Sequence, residues 1–242
     1  MHTKLHAIFL LVFLRTYLVG AAFNMRGLQN VGFMYAMDPG LAAIHRDPAD
    51  LRKARHRYAR HYNCHPYWTP LVAGMLLHTE GEIAKGRISS AAFGSIKDTA
   101  VSTLSALGDS VFGGTFLVTW ALAMAAMIIA DCAQAALAAS VALFLALQCF
   151  KLATFVAGIR YGFPVLFRLR RLDLINWGDR LKIINALLLL FVLALCVPGK
   201  DSPAVWGLTV LCITLAAWVT AHLHVPRALL ALAGTTAILL LV

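Results

Sequence analysis

The chain has 242 residues, of which 60% are hydrophobic and 13% charged, and its mean hydropathy is +0.76. Soluble domains carry charges on about a quarter of their residues, so this composition excludes an ordinary soluble fold. The formal net charge is +10, and residues 45–61 and 160–182 hold six Lys or Arg each, beside apolar runs. That placement is typical of the cytoplasmic loops of a membrane protein and argues against nucleic acid as a partner.

Residues 1–35 form the first segment, which we interpret as an amphipathic arm that lies in the membrane interface over residues 5–23. Arg15 cuts the apolar run short there. The alternative is a secretory signal peptide, because Lys4 and an apolar run precede the small residues at 20–22. The motifs that continue through residue 33 favour the uncleaved arm.

Residues 36–110 form the second segment, in which polar side chains interrupt the apolar stretches. Residues 66–77 and 91–107 are too short or too polar to face lipid alone. Broken helices are tolerated at membrane depth only where protein or a water-filled cavity surrounds them, as in transporters. We therefore expect broken or re-entrant helices and a transport core here, with a basic cytoplasmic loop at 45–61.

Residues 111–242 form the third segment, a bundle of transmembrane helices. Five runs are apolar enough to cross a bilayer: 111–130, 133–159, 183–197, 204–221 and 228–242. If the basic loops 45–61 and 160–182 are both cytoplasmic, the carboxyl terminus is external. The expected fold class is all-α, a polytopic integral membrane protein with about five clear spans in this half.

Two carboxylates beside apolar sequence, Glu80 and Asp109, are the leading candidates for binding a polar substrate. An ionised carboxylate can accept hydrogen bonds from sugar hydroxyls, and such a group is costly at membrane depth without a function or a partner. Asp109 has a simpler alternative, since it could cap the helix that begins near Ser110 or pair with Lys97.

Other polar residues carry weaker signals. Lys151 lies within an apolar run and is either a snorkelling side chain or the partner of a buried carboxylate. His61 and His65 have the i, i+4 spacing of a helical metal pair, but Pro66 disfavours helix at His65, so we expect no metal site. The five cysteines contain no C-x-x-C pair, which indicates reduced thiols. No catalytic or cofactor-binding motif is expected.

Four motifs follow one another between residues 13 and 120. They are FLRT at 13–16, NMRGLQNVGF at 24–33, RHYNCHPY at 60–67 and GDSVFGGT at 108–115, with Glu80 before the last. In this order they resemble the IID component of the mannose/fructose/sorbose phosphotransferase permeases. The family has Asn followed by Met-Gln-x-x-Gly-Phe, then Phe-Asn-Thr-His-Pro-Phe, then Gly-Asp-Ser-Ile-Phe-Trp-Gly-Thr, and Glu80 falls on one of its paired glutamates.

The chain departs from the family pattern at three places. Residues 102–106 are STLSA where the family has Gly-Pro-Leu-Ala-Gly, so a bend becomes compatible with a helix. Gly113 stands at the position of the family's Trp, and Thr79 replaces the second paired glutamate. A weaker similarity continues from Lys151 to about residue 163.

The resemblance implies a IID subunit in the inner membrane. It would assemble with a homologous IIC subunit, as a trimer of heterodimers, and translocate a hexose such as mannose. Phosphate would reach the sugar from phosphoenolpyruvate through IIA and IIB proteins, so no residue of this chain is expected to be a phosphoacceptor.

Seven polar residues are the expected contacts to substrate or to IIC, and the basic loops are expected to dock IIB. The polar residues are Asn24, Gln29, Asn63, His65, Glu80, Asp109 and Ser110. Membrane lipid is the other expected partner, and we expect the polar residues to converge near the middle of the membrane.

Two other functions are compatible with the sequence. A degenerate IID-like protein could anchor IIB at the membrane as a sensor without moving sugar, which the loss of the Gly/Pro bend favours. An unrelated exporter or membrane enzyme would require the ordered motifs to be a coincidence.

Overall fold

The computed structural model describes residues 2–196 and 202–222, and most of them are helical. The α-helices are α1 (His2–Arg15), α2 (Asn30–Ile44), α3 (Pro48–Tyr58), α4 (Thr69–Ala84), α5 (Ser90–Gly108), α6 (Leu117–Ile129), α7 (Ala133–Tyr161), α8 (Val165–Arg170), α9 (Leu174–Cys196) and α10 (Pro203–His222). A 3-10 helix (Thr16–Ala22) extends α1, and a π-helical stretch (Asp109–Phe116) joins α5 to α6. The described residues contain isolated β-bridges but no strand, which confirms the all-α fold class.

The chain forms two compact units that divide between Leu189 and Leu190. The first unit contains α1 to α8 and most of α9. Within this unit α4 packs along α7, and α1 packs against α2. Helices from the sequence segments 1–35, 36–110 and 111–242 thus pack together within the first unit.

Three helical stretches of the described residues are long and apolar enough to cross a membrane: Leu5–Ala22, Phe93–Ile129 and Ala133–Tyr161. The stretch Leu5–Ala22 is a candidate span, whereas the sequence predicted an amphipathic arm in the membrane interface over residues 5–23. Arg15 does not end it, because its guanidinium donates to the carbonyl of Tyr35 at 3.1 Å and lies 4.1 Å from the centre of the Tyr35 ring. The charge that interrupts the apolar run thus has partners inside the protein.

The second candidate span continues through the segment boundary expected at residue 110. Backbone helix runs from Ser90 to Ile129, with the π-helical stretch in the middle. The span expected to begin at Val111 is thus part of a longer helix. Lys97 is accommodated in it because its Nζ lies 3.5 Å from Asp98 Oδ1 and donates to the carbonyl of His61 at 3.4 Å.

The remaining expected spans are described only in part. The run 183–197 lies largely in α9, which begins already at Leu174, and the run 204–221 corresponds to α10. The run 228–242 lies outside the described residues.

The two basic segments, which the charge pattern predicted to be loops, are largely helical. Most of segment 45–61 is α3, where Asp47 caps the helix by accepting a hydrogen bond from the Asp50 amide at 3.1 Å. Pro48 occupies the first turn of α3, a position where its missing N–H costs nothing. Segment 160–182 contains α8 and the beginning of α9.

The core of the first unit is built around α4, whose residues from Thr69 to Leu77 are all buried. Glycines allow α4 and α7 to approach closely: a Cβ on Gly74 would lie 2.3 Å from the carbonyl oxygen of Phe155, and one on Gly158 would lie 2.6 Å from that of Leu71. Small residues at a crossing let two helix backbones touch. A helix that the sequence marked as too short to face lipid is therefore surrounded by protein.

Candidate functional site

Two polar loops, residues 23–30 and 59–68, are joined by backbone hydrogen bonds. The Gln29 amide donates to the Tyr62 carbonyl at 2.9 Å, and the Tyr62 amide donates to the Gly27 carbonyl at 3.2 Å. Phe33 and Tyr62 stack with ring centres 3.6 Å apart. These contacts give residues 61–68 a defined position against the start of α2.

The predicted contact residues Asn24 and Gln29 use their side chains inside these loops. Asn24 Oδ1 accepts from the Gly27 amide at 2.9 Å, and its Nδ2 donates to Asn30 Oδ1 at 2.8 Å. Gln29 Oε1 accepts from the Cys64 amide at 3.2 Å. Both side chains thus hold the loops in position. Their direct contact with substrate or IIC stays a prediction.

His65 lies where the second loop meets the π-helical stretch. Its ring stacks on Phe112 with ring centres 5.5 Å apart and lies 5.3 Å from Tyr67. A Cβ on Gly108 would lie 2.3 Å from Cβ of His65, so only glycine admits this approach. Burial lowers the pKa of His65; Asp109 opposes the shift and Lys151 adds to it.

Lys151 is the buried cation of this region, with 8% of its surface exposed. Its Nζ lies 4.3 Å from the centre of the Tyr17 ring and 5.1 Å from that of Tyr67. Among the described residues it forms no ion pair, so it neither snorkels to water nor pairs with a buried carboxylate. Cation–π attraction to the two rings is its observed stabilisation.

Lys151 and its neighbours form one cluster, which we call the aromatic site. It consists of Tyr17, His65, Tyr67, Phe112 and Lys151. Tyr17 is fixed in it because its hydroxyl donates to Gln148 Oε1 at 2.6 Å. The site offers aromatic faces together with N–H donors, a combination that suits a ligand with both apolar and hydroxyl surface.

Asp109 and Ser110 begin the π-helical stretch beside the aromatic site, and both are exposed. Asp109 is not a helix cap, since helical backbone runs through it, and it does not pair with Lys97, which lies beside Asp98. In the part of the chain that the structure describes, the Asp109 carboxylate has neither an ion pair nor a hydrogen bond within the chain. Stretches of π-helix are rare in proteins, and those that do occur often lie at functional sites.

Asn63 and Glu80 lie apart from the aromatic site. Asn63 lines a separate cavity of about 470 Å³ together with Asp98 and Ser102. Glu80 is fully buried and accepts hydrogen bonds from Arg57, and its Oε2 lies 2.8 Å from His45 Nε2. The structure therefore brings His65, Asp109 and Ser110 into one region, and it ties Glu80 into an ionic cluster that joins α3 to α4.

The contacts predicted from the sequence do not include Lys151, Tyr17 or Tyr67. The charge of Lys151 inside an apolar run was a usable signal, because intramembrane cations are costly unless they have a role. The local sequence around Tyr17 carries no signal, because it does not show that the 3-10 helix after α1 brings Tyr17 to α7. Within residues 2–196 and 202–222, no group of three or more His, Cys, Asp or Glu could hold a metal ion.

The chain is similar in sequence to curated IID components. The chain is 25% identical over 153 residues to the fructose permease IID component of Bacillus subtilis (strain 168), which covers 63% of this chain and 54% of the relative. It is 27% identical over 154 residues to the mannose-specific EIID component of Escherichia coli (strain K12), covering 63% and 53% of the two chains. The chain thus spans about half the length of the curated relatives it matches.

Two solved structures share the fold. One, described as a membrane protein, has a TM-score of 0.59 and 23% identity, covering 76% of this chain and 68% of that one. A chain of the mannose transporter ManYZ in complex with microcin E492 has a TM-score of 0.51 and 24% identity, covering 79% of this chain and 69% of that one. Their likeness establishes the fold of a membrane protein.

The family assignment comes from a longer match. Residues 6–177, which include both polar loops and the aromatic site, match the family model described as the PTS system mannose/fructose/sorbose family IID component. The chain belongs to the IID component of the mannose/fructose/sorbose family of the phosphotransferase system.

Proposed function

We propose that this chain is the membrane-embedded IID subunit of a phosphoenolpyruvate-dependent permease and that it translocates a hexose together with a IIC subunit. Its site residues suit binding and orientation rather than bond breaking. Aromatic rings can pack against the apolar C–H face of a sugar, while the carboxylate and N–H groups can hydrogen-bond to its hydroxyls.

The observation that carries the proposal is the exposed carboxylate of Asp109 inside the candidate span Phe93–Ile129. A charge at membrane depth that lacks a partner among the described residues must meet water, a ligand or another subunit. A substrate path at the boundary with IIC supplies all three. The position of Asp109 beside His65 and Lys151 favours this path over an isolated surface charge.

The substrate class is a hexose of the mannose type. The relatives named above are a fructose permease component and a mannose-specific component. Phosphate would come from phosphoenolpyruvate through IIA and IIB, so the histidines of this chain need not accept it.

Surface charge, as well as the family, supports the proposed partners IIB and IIC. A basic concavity of about 510 Å³ lies between α3 and the start of α5, lined by Arg52, Lys53, His56, Arg57 and Ser90. We assign this face to the docking of IIB on the cytoplasmic side, because concave surfaces of one charge focus attraction for an oppositely charged partner. IIC would cover the side of Asp109, in a trimer of heterodimers in the inner membrane with an external carboxyl terminus.

The test is phosphoenolpyruvate-dependent uptake of labelled hexoses by vesicles that carry this chain with its IIC, IIB and IIA partners. We expect saturable accumulation of sugar phosphate that vanishes when this chain is omitted. Uptake that continues at the same rate without the chain would overturn the proposal.

A second function, a IID-like anchor for IIB that transports nothing, is favoured by one observation. Residues 102–106 lie in the uninterrupted helix α5, where the family pattern has a Gly/Pro bend. An anchor predicts a stable complex with IIC and binding of IIB with no uptake of any hexose. The same vesicles therefore separate the two functions.

A further inference from the structure

A large apolar groove runs between α5 and the segment that contains α8 and the start of α9. Its volume is about 730 Å³, within the range of cavities that hold small amphiphiles. Its walls are mostly aliphatic or aromatic, and they include Ile96, Leu104, Leu107, Phe163, Leu166 and Leu169. The groove shares no lining residue with the aromatic site.

The groove extends from a span end into membrane depth. The candidate span Ala133–Tyr161 ends just before α8, while the α5 wall from Thr99 to Leu107 lies inside the candidate span Phe93–Ile129. Because a short turn at 130–132 reverses the chain between these spans, the start of α5 and the end of α7 belong to the same membrane face. One end of the groove is therefore at headgroup level and its α5 wall leads toward the bilayer interior.

Two opposite charges stand at the headgroup end. Arg170 and Asp173 both line the groove and are exposed, and no ion pair joins them. Across the described residues Arg170 has no carboxylate within ion-pair distance. Asp173 accepts two hydrogen bonds of 2.8 Å from Asn176 Nδ2, which leaves further lone pairs available.

We propose that this groove binds a zwitterionic aminophospholipid such as phosphatidylethanolamine. The acyl chain lies along α5, the phosphate contacts Arg170, and the primary ammonium donates to Asp173. Basic pockets between transmembrane helices bind phospholipid headgroups in this way, and the carboxylate adds selectivity for an amine that can donate hydrogen bonds. A purely anionic lipid would meet repulsion from Asp173, and a choline headgroup has no N–H to donate. This proposal does not depend on the transport function.

The first test measures lipid binding to the purified, delipidated full chain by native mass spectrometry. Phosphatidylethanolamine, phosphatidylglycerol and phosphatidylcholine with identical acyl chains serve as probes. We expect the ethanolamine lipid to bind about tenfold more tightly than the other two, the size of one charge-assisted hydrogen bond. Equal binding of all three lipids would overturn the headgroup assignment.

Point variants distinguish recognition of the lipid headgroup from binding of the acyl chains. Arg170→Ala should weaken binding of all three lipids, whereas Asp173→Asn should remove only the preference for ethanolamine. Lys182→Ala is the matched control, because Lys182 is an exposed cation paired with Asp179 outside the groove, and it should change nothing.

Thr103→Trp fills the groove and should block every lipid while helical content, measured by circular dichroism, is retained. Unchanged binding by a folded Thr103→Trp chain, or by Arg170→Ala, contradicts the site. Because Arg170 is exposed, its variant tests the proposal even if Thr103→Trp fails to fold.

Discussion

Arg57 Nη2 lies 2.6 Å from Oε2 of the fully buried Glu80, and Arg57 Nε lies 3.2 Å from its Oε1. His45 Nε2 approaches the same Oε2 at 2.8 Å. One carboxylate on α4 thus contacts both α3 and His45, the residue directly after α2. Such a two-point contact is typical of a structural ion pair between Arg and a carboxylate.

Replacing Glu80 by Gln should destabilise the first unit, because it leaves the half-buried Arg57 without its counter-charge. Breaking a buried pair from one side costs about 3 kcal/mol or more, which thermal unfolding in detergent would show. The control is Glu82→Gln, whose ion pairs with Lys85 and Arg87 lie on the surface and should leave the unfolding temperature unchanged. Equal stability of the two variants would contradict a structural role for the Arg57–Glu80 ion pair.

The close crossing of α4 and α7 gives a second prediction. Gly74→Ala places a Cβ 2.3 Å from a carbonyl oxygen of α7, so we expect the helices to separate and the unfolding temperature to fall. Gly81→Ala, on the same helix with nothing within 4 Å of the added Cβ, should be neutral or stabilise by about 0.5–1 kcal/mol. If both variants behave alike, the crossing does not contribute to stability.

Lys151 gives a third prediction, which separates binding from folding. Lys151→Met replaces the ammonium with an apolar side chain of similar size, so stability should change by about 2 kcal/mol or less, the size of a desolvated cation–π contact. Hexose uptake should fall strongly if the ammonium orients the substrate. The matched control is Lys85→Met, at an exposed lysine that follows α4 and pairs with Glu82, for which we expect full uptake.

His65 gives a prediction about pH. Its pKa in the folded protein lies below the ordinary value of 6.5, chiefly because burial disfavours the charged ring. The unfolded chain therefore binds a proton more readily, so the stability that His65 contributes is present above about pH 6.5 and is lost as the pH falls below it. His65→Gln should flatten the dependence of the unfolding temperature on pH between about 5 and 7. An unchanged slope would contradict the burial.

The sequence was informative where the signal is local. Hydrophobic runs predicted α7 and α10, and the motif at 108–115 coincides with the π-helical stretch. A local pattern does not show which distant residues become partners. The sequence alone does not indicate that Arg15 meets Tyr35 or that Arg57 contacts Glu80, and the contact of Glu80 with substrate or IIC stays a prediction.

The site could be predicted only in part for the same reason. His65 and Asp109 lie in motifs, and the structure places them in one region. Lys151 and Tyr17 come together because the 3-10 helix after α1 lies against α7 in one unit, which neither local sequence encodes.

The central claim is that Asp109 faces a substrate path, and hexose uptake by the Asp109→Asn variant tests it most directly. The variant should insert into the membrane and bind IIC normally while phosphoenolpyruvate-dependent uptake is abolished, because an amide cannot replace an ionised acceptor. Asp98→Asn, which changes another exposed carboxylate on the same helical run, should retain uptake. Full uptake by Asp109→Asn vesicles would contradict the account.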